Sequence, residues 1–388
     1  MNLDTEPAAI PARAPGITTG VRLFTRGGIH PQWLANAVLP AVRALDEELN
    51  APVLYLRRGW LHGPHVDLVA RPAGGEAGAV LPWDDIAAKL DAGPLVPDEQ
   101  LSEEDYLVRA REFGRLERVE PPYLPMHPHG RLEWLDATRT ATWPEPLNAL
   151  CDLALTRINR PLTAAVAEAA AGAGTLPTRV AEAMVALAAS HHSGIPFGVF
   201  SLRSHAEAFL SWAAPRKDVR PVFARRLAGD APLLRALVEQ TLADTGGPSA
   251  ARWRQAFGYC MGVFDSAVAQ ETLTLRTLEE REGGFDRRTM GPPGQEDVTG
   301  HRGSDFHTAV NASGAVAGTT DWFASYRLLI NLFYQQLLLL DVSPMHRYYL
   351  CYAIAETVDE VLGESWSDRL ARTAQARTAA GLPAGTVA

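Results

Sequence analysis

The chain has 388 residues, 47% hydrophobic and 21% charged, with a net charge of −9. That length suits two or three domains or one large α+β unit, with a core needing neither disulfides nor structural metal. Three widely spaced cysteines without a CxxC pair exclude a disulfide scaffold and a Cys-based zinc finger, and the acidic balance argues against nucleic-acid binding by a basic surface.

Residues 1–20 read as a disordered tail, Pro/Ala-rich and without the apolar run of a signal peptide. Val21–Thr25 is expected as a short strand. His30–Glu48 carries apolar residues at helical spacing, with Pro40 placed to kink or divide the helix. Pro52–Arg57 and His65–Ala70 read as two strands joined by a turn. In the second, Val66, Leu68 and Ala70 alternate with His65, Asp67 and Val69, which predicts one apolar and one polar face. Asp84–Leu90 should be a helix capped by Asp84. Glu103–Gly114 should be another. Val119–Arg139, with five prolines or glycines, should hold two strand-like pieces.

From Leu147 the pattern becomes helical, over 147–171, 176–193, 203–212, 219–244, 249–282, 321–341 and 345–374. The expected fold is α+β, a strand-containing N-terminal half packed on a helix-dominated C-terminal half. Residues 21–375 are expected to form one catalytic unit, with 21–146 its α/β part, 147–375 its helical part and 376–388 a flexible tail. Gly283–Gly318 is Gly-rich and aperiodic, and loops of that length are commonly lids or binding loops. The longest apolar stretch, Leu328–Leu340, is interrupted by polar residues and shorter than the ~20 residues of a membrane span, so a cytoplasmic protein without membrane contact is expected.

No phosphate-binding loop, dinucleotide fingerprint, HExxH or GxSxG is present, so no cofactor and no metal are expected. His62 and His65 around Gly63-Pro64 have no acidic or Cys partner nearby and make a weak metal candidate. His191-His192 suits the end of a helix. Ser204 and Glu207 fit a capping box, which leaves Arg203 and His205 unexplained.

The strand Pro52-Val53-Leu54-Tyr55-Leu56-Arg57-Arg58, followed by Gly63-Pro64-His65-Val66-Asp67-Leu68, resembles a hairpin of the C-terminal elimination domain of lanthipeptide dehydratases, shared by thiopeptide-type bacteriocin biosynthesis proteins. Gly114-Arg115-Leu116-Glu117, Pro121-Pro122-Tyr123-Leu124-Pro125, Phe200 to Leu210 and the closing helices with Asn331 match in order. The resemblance spans about residues 20–370. It implies the elimination-domain fold and a ribosomally made precursor peptide, leader plus azole- and dehydroamino-acid-containing core, as partner, alongside other biosynthetic enzymes. At this length the chain has no room for the long N-terminal part that uses glutamyl-tRNA, so a full dehydratase is not expected.

Within the family, eliminases carry a histidine before an Asn-Arg pair in a late helix. Here the stretch Ala324 to Tyr334 has no histidine, Leu332 follows Asn331, and Asp67 stands where the hairpin often has arginine. The resemblance is therefore greatest to the stand-alone thiopeptide pyridine synthases, which join two dehydroalanines in a formal [4+2] cycloaddition and then lose water and leader peptide. A glutamate eliminase and a non-catalytic peptide-binding subunit are the alternatives. Positioning and neutral donors aimed at an amide suit the cycloaddition. Tyr326 is the expected principal donor, with Thr320, Asn331 and Tyr334 as further donors and Arg203, His205 and Glu207 ordering the pocket. Arg57, Arg58 and His65 are the peptide-binding candidates, with Trp322 and Phe323 expected to contact the core peptide's azole rings.

Overall fold

The computed structural model describes residues 18–72, 81–96, 98, 100–117, 119–136, 143–215, 217–282, 304–313 and 322–379. The chain is α+β and groups into two compact units. One is Met1–Leu176 with Leu332–Asp341; the other is Pro177–Asn331 with Val342–Ala388.

The first unit is built on an antiparallel sheet of β1 (Thr18–Phe24), β2 (Val53–Gly59), β3 (His65–Arg71) and β4 (Leu132–Asp136), in the order β2-β3-β1-β4. β1 begins at Thr18, inside the expected tail, because Thr18 pairs with Asp136 and Gly20 with Leu135. Because β3 is central, its polar alternates are buried with its apolar ones, His65 to 2% and Asp67 to 1% exposure. The expected polar face is thus an interior one. Val119–Arg139 yields one strand, β4, among the described residues.

Pro40 acts as expected. α1 (Pro31–Ala37) stops and α2 (Leu39–Arg43) restarts around Val38, whose φ is −123°, and a wider π turn follows over Ala44–Glu48. α3 (Trp83–Ala87) is preceded by Pro82, so Asp84 lies in the first turn, where its charge suits the helix dipole, and does not cap. α4 (Glu103–Glu117) is capped by Ser102, whose Oγ accepts the Asp105 N–H at 3.0 Å.

α5 (Leu147–Ala170) lies along the outer edge of β2 and closes it. The Leu54 N–H donates to Thr156 Oγ1 at 3.0 Å and the Leu56 N–H to Asn159 Oδ1 at 2.9 Å. An edge strand left with free N–H groups invites pairing with other chains; polar residues on a covering helix remove that hazard. Asn159 in turn donates to Gln336 at 2.8 Å, and Tyr55 donates to Asp152 at 2.7 Å.

The second unit is helical. It holds α6 (Leu176–Ala189), α7 (Ile195–Ala213), α8 (Arg220–Leu242), α9 (Pro248–Ala269), α10 (Leu275–Glu282), α11 (Asp305–Ala312), α13 (Pro344–Leu362) and α14 (Trp366–Ala379). α12 (Trp322–Gln336) belongs to this unit up to Asn331. α7 starts two turns earlier than expected, at Gly194-Ile195-Pro196, because proline suits a first turn. Ser204 and Glu207 are therefore mid-helix, and the capping-box reading is corrected. The expected 345–374 helix divides at Gly363, which adopts φ 63° and ends α13. The expected lid also changes. Residues 283–303 and 314–318 lie outside the described residues, but Asp305–Ala312 is a helix whose N-cap, Ser304, accepts the His307 N–H.

Candidate active site

α11 is anchored by its first apolar residue. Phe306 is 4% exposed, with its ring 5.8 Å from that of Phe200 on α7 and 5.2 Å from that of Trp366 on α14. This contact directs the next residue, His307, at α7. Its Nε2 lies 3.0 Å from Ser204 Oγ and its Nδ1 2.8 Å from Ser304 Oγ, so both ring nitrogens meet hydroxyls.

His205 follows Ser204 on α7. Burial first, then Arg347, His307 and Arg327, lower its pKa to about 4 against a hydrogen bond to the Ser201 backbone. The imidazole is therefore neutral at pH 7. On α12, Phe323, Arg327 and Asn331 recur every four residues, so they form one stripe, and all three are half-buried. α7, α11, α12 and α13 thus bring together two histidines, two arginines and two serines, with Arg327 the member from α12. Chemically this is a cluster of two arginines around a neutral histidine, His205, with hydroxyl groups beside it.

Of the expected site residues, His205 belongs to the cluster, and Phe323 and Asn331 share the face of α12 that carries Arg327. Tyr326 does not. It is fully buried, and its hydroxyl donates to the carbonyls of Gly198 at 3.0 Å and Leu187 at 3.3 Å. Burial raises the phenol pKa far above its ordinary value. Tyr326 staples the end of α6 to the first turn of α7, where Gly198 packs against the Ala188 carbonyl and a Cβ would collide. The expected donor role is thus corrected: the hydroxyl already has two acceptors in the core.

Arg203 and Glu207 are also held structurally. Arg203 is 3% exposed and donates to Glu356 at 2.7 Å and Asp359 at 2.8 Å, while Arg369 donates to the other Asp359 oxygen at 2.6 Å. Glu207 accepts two bonds from Arg220, at 3.0 and 2.8 Å. These pairs lock α7 to α8, α13 and α14, placing Ser204 and His205 between two fixed residues. Tyr334 is 8% exposed and belongs with the first unit. Thr320 and the Trp322 side chain lie outside the described residues.

The peptide-binding candidates are in the first unit. Arg57, Asp67, Arg22 and Glu133 stand opposite one another across all four strands. Arg22 Nε donates to Asp67 at 2.7 Å and Arg57 at 2.9 Å, so Arg57 is engaged by a buried carboxylate. Burial alone would raise the Asp67 pKa; the Arg22 hydrogen bond and the neighbouring cations bring it below its ordinary value. Arg58 donates to the Leu338 carbonyl at 2.9 Å. His65 is buried against Phe24, with Nδ1 2.9 Å from the Gly63 carbonyl. Burial, then Arg22, lowers its pKa to about 4. None of the three is presented as an unpaired group for a peptide.

Ser204 and His307 were not among the expected site residues. Ser204 looked like a cap, and His307 sat in a stretch without periodicity. The available signal was Ser304-Asp305-Phe306-His307: a capping serine, an acidic first turn and an apolar anchor.

A scan of protein-family models finds no match, and neither does a search of curated proteins. Among solved structures, the chain is similar to TbtD, the pyridine synthase from thiomuracin biosynthesis, at 20% identity and a TM-score of 0.62, over 89% of this chain and 98% of that one. It is similar to TsrL at 16% identity and a TM-score of 0.52, over 92% and 97% of the two chains. The chain is built on the fold of these two proteins.

Proposed function

We propose that the protein is a thiopeptide-type pyridine synthase, acting on a ribosomally made peptide that carries two dehydroalanines. The observation that carries this reading is the fold shared with TbtD across nearly the whole of both chains. The neutral His205 beside two arginines supports it chemically.

The reaction begins by converting an amide into its iminol, so a proton must leave nitrogen and arrive on oxygen. The resulting 2-azadiene forms two C–C bonds with the second dehydroalanine. One joins the two β-carbons; the other joins the iminol carbon to the α-carbon of the dienophile. The product is a cyclic hemiaminal. Loss of water and then of the leader peptide as its carboxamide gives the aromatic pyridine without net oxidation or reduction. A neutral imidazole carries both a lone pair and an N–H, so His205 can accept one proton and return another. Arg327 and Arg347 can stabilise negative charge developing on the amide oxygen.

The second reading is glutamate elimination, favoured by those same two arginines, which could bind a glutamate carboxylate. The test gives the purified protein two peptides, one with two dehydroalanines behind its leader and one with glutamylated serine, and follows products by mass. Pyridine formation with leader release supports the first reading. Loss of glutamate alone supports the second, and neither product with retained leader binding would leave a binding subunit.

A further inference from the structure

We infer that the Ser204 hydroxyl is a catalytic proton relay, with His307 and Ser304 as the residues that position it; this rests on the pyridine-synthase reading. Ser204 is half-buried on α7, next in sequence to His205, with its Oγ 3.0 Å from His307 Nε2. Mid-helix serines ordinarily turn back to a carbonyl of the preceding turn. Ser211 on the same helix does so, to Glu207 at 2.7 Å. Ser204 instead reaches across to another element.

The far side of the ring explains what that contact does. Ser304 caps α11, and its oxygen accepts the His307 backbone N–H at 3.3 Å. That leaves Ser304 one lone pair and its proton for the ring, and the relay assigns the proton to Nδ1, at 2.8 Å. Nδ1 is then the acceptor, so the ring proton sits on Nε2 and is donated to Ser204. Ser204, accepting from behind, directs its own O–H away from His307. A proton taken up by the Ser204 oxygen from a substrate amide nitrogen, with release of its own proton to the amide oxygen, leaves the hydroxyl unchanged. The exchange balances and needs no partner from solution. The Nε2–H that His307 donates stabilises the partial negative charge on the Ser204 oxygen as its own proton leaves.

The test uses the full chain and single-turnover formation of pyridine from a leader-bearing bis-dehydroalanine peptide. Ser204→Ala should slow turnover by about 100-fold, the scale of a lost general acid–base group, with unchanged peptide affinity and melting temperature. Ser204→Thr, which restores a hydroxyl, should recover most of the rate. His307→Gln should lose a similar factor. The double variant should be no slower than the worse single one, because the pair acts as a unit. Wild-type turnover in Ser204→Ala, or losses that track melting temperature and add in the double variant, would overturn the relay. If wild-type protein makes no pyridine, the functional reading fails, and nitrogen NMR of His307 then decides the relay. A ring protonated at Nε2 alone, and altered by Ser304→Ala, supports it; freely exchanging tautomers overturn it.

Discussion

Tyr326 and His205 show how alike two residues can look in sequence and how differently a fold uses them. Both lie in helices beside apolar neighbours. The Tyr326 hydroxyl is bound to two main-chain carbonyls, so removing it should cost stability and spare chemistry. Tyr326→Phe is expected to lower unfolding free energy by about 1 kcal/mol, the net worth of one buried hydrogen bond, with single-turnover rate unchanged. Denaturant melts and a rate measurement on one preparation check both halves. A second prediction concerns His65. Its folded pKa of about 4 lies below the ordinary value of ~6.5, so on acidification the unfolded chain takes up a proton that the folded chain refuses. The contribution is complete above pH ~6.5 and declines as pH falls from there toward 4, by up to ~3 kcal/mol. His65→Gln should flatten that part of the stability profile, read by urea unfolding between pH 4 and 7.5. Gly59 permits this burial, since a Cβ there would overlap His65 Nε2.

At the scale of elements, periodicity located the helices well where an apolar face is long. It failed where a tertiary anchor substitutes for a face. α11 has only eight residues, and one buried aromatic, Phe306, docks it. Nothing in the spacing of Gly283–Gly318 announces that. Phe306→Ala should release α11 from Phe200 and Trp366. Burying an aromatic of this size is worth about 3 kcal/mol or more, beyond what eight helical residues hold by themselves. Amide hydrogen exchange in Asp305–Ala312 should then rise by orders of magnitude while α13 keeps its protection; unchanged exchange would mean the helix is held by something else. The start of α7 was missed for a related reason. Gly194 and Pro196 look like loop residues, yet proline in a first turn lacks a donor that the helix cannot use. The polar face predicted for β3 is present in pattern, and strand order, which sequence does not display, flanks its Asp67 with Arg22 and Arg57 and so buries it.

For the whole molecule, the α+β class and the elimination-domain resemblance were legible from the Tyr55–Arg58 and Gly63–Leu68 hairpin and the helical run that follows. The fold of TbtD and TsrL agrees with that expectation. The candidate site was legible only in part. His205 stood out because no cap or core pattern explained it, whereas Ser204 and His307 become a pair only through folding, 103 residues apart in sequence. Arg203 and Glu207, expected to order the pocket, form ion pairs that hold α7 in place on either side of Ser204 and His205. The central claim, that this fold here closes a pyridine ring, is tested most directly by mass spectrometry of a leader-bearing bis-dehydroalanine peptide after incubation with the protein. Two products are expected, a pyridine macrocycle lighter by one water and the leader, and the free leader carboxamide. Recovery of the intact peptide with the leader still attached, from well-folded protein that binds it, would rule out pyridine synthesis by this chain.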